Sequence, residues 1–148
     1  MEMVETPPDI AIGLAEVLSQ GMTEEEMIAA LIRCSKEGPV TLIEFATSEN
    51  SALGRAGEKK GVKVIRLTKE RSDLSTLAGL RDAVRVAKEN PGAHLWISIP
   101  CTPWCAWHHV NKARYGEEYS KILKGQRKVN LRMLRHAKIV ADIVQQNG

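Results

Sequence analysis

Three short apolar runs constrain this chain most: VTLIEFA (residues 40–46), VKVIRLT (62–68) and HLWISIP (94–100). Each is rich in β-branched and other apolar residues, is too short for an ordinary helix, and is bounded by turn-forming residues, so each reads as a strand. Residues 50–61 between the first two are helix-compatible and end on a glycine. Between the second and third, Leu77, Leu80, Ala83, Val84 and Ala87 recur at helical spacing before ENPG stops the segment. Strands that alternate with helices argue for a parallel sheet covered on both faces. The expected strands are 42–46, 62–67 and 94–99, and residues 103–144 read as helices separated near Gly116 and Gly125.

Ahead of the first strand, residues 1–38 read as an acidic helical leader, and residues 39–148 as the main domain. Residues 1–37 hold eight acids against two bases, whereas the remainder holds nineteen bases against ten acids. Ile10, Leu14, Val17 and Leu18 form one helical stripe that Gly21 ends. Thr23 and Glu26 then make a capping box for a helix carrying Met27, Leu31 and Cys34, with Cys34 expected to be a buried apolar filler. The three cysteines of this 148-residue chain cannot all pair with one another, and a chain of that length can bury a core without staples, so disulfides are not expected. No apolar run reaches the roughly 18 residues of a membrane span, and the acidic N-terminus does not resemble a signal peptide. The expectation is an intracellular protein, cytoplasmic or nuclear, with no membrane partner.

In an open α/β sheet, ligands bind beyond the carboxyl ends of the strands. After the first strand comes FATSENSALG, whose small and polar residues lead to a helix N-terminus, a place that favours anionic groups or is simply a capped start. After the second, Glu70 and Asp73 offer acids to a ribose hydroxyl or an amine, and Asp73 is equally placed to cap the helix beginning near Ser75. After the third comes SIPCTPWCAWHHVN, where Thr102 and Pro103 read as an N-cap and first helical position, with Cys101 at the junction. A thiol there feels the positive end of a helix, which favours the nucleophilic thiolate, although a free cysteine is often an inert core filler. Helical spacing groups Trp104, Trp107, His108 and Asn111 on one side, either to stack a base or to pack in a core. Cys101, Cys105 and His108 or His109 lie close in sequence, but CxxxC lacks the second ligand pair of a structural zinc site, and no metal is expected.

Between Trp104 and Lys138 stand nine Lys or Arg against Glu117 and Glu118 alone. Such a run is either a solvated face or a nucleic-acid surface, with Lys124, Arg127, Lys128, Arg132 and Arg135 as its candidate phosphate contacts. Polyanion binding by it should weaken as salt rises.

These residues carry a resemblance. LIEFATSENSALGRAGEKKG resembles the first motif of S-adenosylmethionine-dependent methyltransferases, RSDL their short acidic third motif, and SIPCTPW the prolyl-cysteine loop of cytosine-5 DNA methyltransferases. LWISIPCTPWCAWHHVN is also similar to a methyltransferase-like module of copia-type retrotransposon polyproteins. The resemblance covers about residues 40–115 and implies an α/β, Rossmann-like, mainly parallel sheet with flanking helices. It implies S-adenosylmethionine as cofactor, held by Phe45, Ala46, Thr47, Ser48, Leu53, Gly54, Asp73 and Pro100, and Cys101 as the nucleophile toward cytosine. Trp104, Trp107 and Asn111 join the basic residues as nucleic-acid contacts. In that family a further strand with a glutamate motif follows the last helix seen here, so the expectation is a fragment or a module that is no longer catalytic. The resulting function is a methyltransferase-like domain acting on or binding nucleic acid, or an inactive nucleic-acid- or protein-binding module of a retroelement polyprotein.

Overall fold

The computed structural model describes residues 21–35 and 38–147, so the expected stripe from Ile10 to Leu18 lies outside the described residues. The order is α1 (Glu24–Cys34), β1 (Thr41–Thr47), α2 (Ala52–Lys59), β2 (Lys63–Thr68), α3 (Leu77–Glu89), β3 (His94–Ile97), a 3₁₀ turn (Thr102–Trp104) and α4 (Trp107–Asn147). The strands form one parallel sheet in the order β2-β1-β3. The fold is therefore mixed α/β, as the alternation of runs and helices requires.

Alternation along β1 sorts the two layers. Ile43 and Phe45 face α3 and α4, in a core with Leu67, Ala83, Val86, Ala137 and Val140. Leu42 faces the other way, toward Met27, Ile28 and Leu31 of α1 and Leu53 and Ala56 of α2. The capping box forms as read, with Thr23 Oγ1 accepting from Glu26 N at 3.2 Å and Glu26 Oε2 accepting from Thr23 N at 2.9 Å. Cys34, however, is exposed. The buried stripe of α1 stops at Leu31, and Ser35 makes the next contact, lying 2.9 Å from His94 Nε2.

β1 ends in an irregularity. Its register with β2 shifts between Phe45 and Thr47, leaving Ala46 unpaired, and Ala46 adopts the left-handed conformation at φ 58°. β3 is two residues shorter than its apolar run suggests: Ser98 N still donates to Phe45 O at 3.0 Å, but the ladder ends there and Pro100 has no N–H to extend it. The final helix breaks at Gly116, where φ 69° and ψ −150° leave helical space, but runs through Gly125 without interruption. Among the described residues no helix is long and apolar enough to cross a membrane.

Candidate functional site

Strand order 2-1-3 puts a switch point between β1 and β3, and the carboxyl ends of the strands open into a cleft there. Its volume is about 300 Å³. Ala46 and Thr47 come from the end of β1, Leu67 and Lys69 from β2 and the turn after it, and Ser72 to Ser75 from the approach to α3. Pro100 closes it from the loop after β3, and Val129 and Met133 from α4. Of the residues the methyltransferase resemblance assigns to the cofactor, four therefore meet in one place: Ala46, Thr47, Asp73 and Pro100. Phe45 instead points into the α3/α4 core, Leu53 into the α1/α2 core, and Ser48 is exposed without lining the cleft.

Gly54 packs on the opposite side of the sheet from this cleft. A Cβ there would stand 2.6 Å from Glu44 Oε2 and would also meet Arg66. Glu44, 1% exposed in the middle of β1, accepts a hydrogen bond from Ser51 Oγ at 2.5 Å and lies 3.5 Å from Arg66 Nε. A buried carboxylate left unpaired would be costly, and Ser51 and Arg66 offset that cost. Ser51 also caps α2, accepting from Gly54 N at 3.2 Å.

The acid side of the cleft is built by a short turn. Ser75 donates its hydroxyl (2.7 Å) and its amide (3.0 Å) to Asp73 Oδ1. Those bonds, helped by the Lys69 charge, hold the Asp73 carboxyl below the usual carboxylate range. The cap of α3 is Thr76, not Asp73, so the Asp73 side chain serves the turn. Buried Ser72 donates to Asp82, and that bond is the main reason the Asp82 carboxyl is also held low. From across the cleft, His136 Nδ1 donates to Leu74 O at 2.7 Å and ties α4 to this turn.

The loop from Pro100 to Cys105 is the second part of the site. Only a single 3₁₀ turn forms where the sequence suggests a helix start, and α4 begins at Trp107. Cys101 is exposed, as is Cys105, but the helix expected to act on its thiol does not start beside it. For the same reason Trp104 and Trp107 do not share one helical face. Side chains of α4 hold the loop by its carbonyls instead: Asn130 Nδ2 donates to Pro100 O (2.7 Å), Arg127 Nε to Pro103 O (2.8 Å) and His108 Nε2 to Thr102 O (2.5 Å). Because a carbonyl only accepts, His108 Nε2 is the donor there, and its Nδ1 lies 2.7 Å from the Tyr119 hydroxyl, which accepts from Asn111 Nδ2 at 3.0 Å. Trp104 Nε1 donates to Asn130 Oδ1 at 2.7 Å, and the Arg127 guanidinium stands 5.0 Å over the Trp104 ring. A second, more open cleft of about 490 Å³ lies between this loop and α4, lined by Pro100, Pro103, Ile122, Gly125, Val129 and Met133 among others. Cys101 lines neither cleft.

Asn130, Val129 and Met133 line or hold the candidate site and are not among the residues that the sequence singles out. Asn130 had a signal: it interrupts the stripe Leu123, Asn130, Ala137 at seven-residue spacing, where a lone amide among apolar neighbours needs partners. Of the candidate nucleic-acid contacts, Lys124, Lys128, Arg132 and Arg135 are exposed on α4, and among the described residues none of them pairs with an acid. Arg127 and Asn111 are engaged in the loop network, and Trp107 is 71% exposed. Among the described residues no three His, Cys, Asp or Glu side chains converge as a metal site would need. Compared with known proteins, the chain matches no family model, no curated protein and no solved structure.

Proposed function

We infer that this chain is a Rossmann-like methyltransferase-type module, of the kind its copia-type resemblance implies, that holds S-adenosylmethionine at the carboxyl edge of its sheet and acts on or binds nucleic acid. One observation carries the reading: Ala46, Thr47, Asp73 and Pro100, drawn from three separate segments, line one cleft at the switch point of a parallel sheet. The lining suits the group. Leu67, Leu74, Val129 and Met133 offer apolar surface to an adenine ring, ionised Asp73 accepts from ribose hydroxyls or an amine, and Lys69 offers a cation to a carboxylate. When bound, the cofactor supplies an electrophilic methyl group. Cys101 takes the nucleophile's part by resemblance, on a loop that Asn130, Arg127 and His108 hold in place.

A second reading, a binding module without catalysis, is favoured by the absence of Cys101 from the walls of both clefts. Calorimetric titration with S-adenosylmethionine tests the shared requirement of a cofactor site. The expected result is one-to-one binding that weakens by about tenfold in Asp73→Asn, the scale of one lost charge-assisted hydrogen bond. No heat at millimolar ligand would remove the cofactor reading. Transfer of a labelled methyl group to cytosine-containing nucleic acid, lost in Cys101→Ser, would select the enzyme over the binding module.

A further inference from the structure

We propose that the surface running from the Thr102–Trp104 turn along the exposed side of α4 binds single-stranded nucleic acid in preference to duplex. The proposal rests on the nucleic-acid reading above and narrows it to one class of polymer.

The first observation is where the rings are. The chain has one Phe, three Trp and two Tyr, and four of these six residues fall between positions 104 and 119. Phe45 alone is fully buried, whereas Trp104 is 47%, Tyr115 60% and Trp107 71% exposed. Large rings normally go to the core or an interface, so three left in water within twelve residues need a partner that covers them. Two of them are also held in place. The indole N–H of Trp104 is fixed by Asn130 with Arg127 over the ring, and Tyr115 sits between the Arg114 guanidinium, 5.9 Å from its ring centre, and Tyr119, 6.0 Å centre to centre. A ring already oriented loses little entropy when a base stacks on it.

The second observation is the charge that follows. Lys121, Lys124, Lys128, Arg132 and Arg135 repeat at intervals of three and four residues, which places them along one side of α4 over roughly 21 Å. Some basic groups elsewhere are matched, Arg66 with Glu58 at 2.7 Å, Arg85 with Glu89 at 3.2 Å and Lys138 with Asp142 at 2.8 Å, and those unmatched among the described residues, such as Arg33, Lys59 and Lys88, lie on other elements. In the ridge only Lys121 reaches an acid, Glu118 at 3.9 Å, so among the described residues four cations in a row lack a partner. Such a row tracks a phosphate backbone.

Duplex would use only half of this surface. Its bases are stacked on one another, so exposed rings find no free face, whereas a single strand offers phosphates to the ridge and open bases to the rings. Anisotropy titrations with labelled oligo(dT), oligo(U) and a duplex of equal length test this at one low salt concentration. Single strands are expected to bind about tenfold or more tightly than duplex and to quench indole fluorescence. In the Trp107→Ala/Tyr115→Ala variant that margin disappears while duplex binding stays within about twofold, since both side chains face solvent. Replacing Lys124, Lys128, Arg132 and Arg135 by Gln weakens both polymers together. Duplex binding as tight as single strands, or a margin that survives the aromatic variant, would overturn the single-strand preference and leave the nucleic-acid reading standing. No binding of any oligonucleotide at low salt would overturn both.

Discussion

Ala46 carries the strain of the site. Its left-handed φ of 58° costs a residue with a Cβ about 1–2 kcal/mol, yet this conformation is what turns the end of β1 over the cleft it lines. Ala46→Gly relieves that cost but frees the unfolded chain, so its urea midpoint should match or slightly exceed wild type; Ala46→Val should lose about 2 kcal/mol or more. Equal stability of the two variants would contradict the strain. His94 gives a second test at this scale. Burial pushes its pKa down, so the folded state resists the imidazolium. The stability it protects is complete above the unfolded value of about 6.5 and is lost as pH falls below that toward the lower folded value. The carboxylates of Asp73, Asp82 and Glu58 are also depressed, but theirs is lost only below about pH 4. Denaturation midpoints measured from pH 7.5 to 5 should therefore fall for wild type and hold nearly level for His94→Gln. Neither effect is legible in sequence, because strain at Ala46 arises from the end of a ladder and burial at His94 from a contact with Ser35, 59 residues away.

At the scale of elements, the three strands and the helices between them were readable because period and length agree locally: apolar runs of five to seven residues against helical spacing. The stretch after Pro100 was not readable in that way. Thr102 and Pro103 carry a helix-start signature, but with its carbonyls taken by Asn130, Arg127 and His108 the backbone makes one 3₁₀ turn and delays α4 to Trp107. Long-range side-chain bonds override the local preference there. Asn130→Ala removes the partner of both Pro100 O and the Trp104 indole, and should cost about 1–3 kcal/mol while moving Trp104 emission to longer wavelength. Unchanged emission would mean that the loop does not depend on this staple.

For the whole molecule, two layers on a parallel sheet leave one edge for ligands, and residues far apart in sequence meet only there. That explains why only half of the candidate cofactor residues meet in one place: Ala46, Thr47, Asp73 and Pro100 follow strand ends and line the cleft, while Phe45 and Leu53 have the alternation and helical phase of core positions. It also explains why Val129 and Met133 were missed, since nothing in a basic helix announces which apolar residues close a distant cleft. The central claim is that S-adenosylmethionine enters this cleft, and methyl NMR of the protein labelled at Ala and Met during titration tests it directly. The account predicts shifts at the methyls of Ala46 and Met133, with Met27 and Ala56 on the other face of the sheet unmoved. No shift at saturating ligand, or shifts confined to Met27 and Ala56, would contradict it.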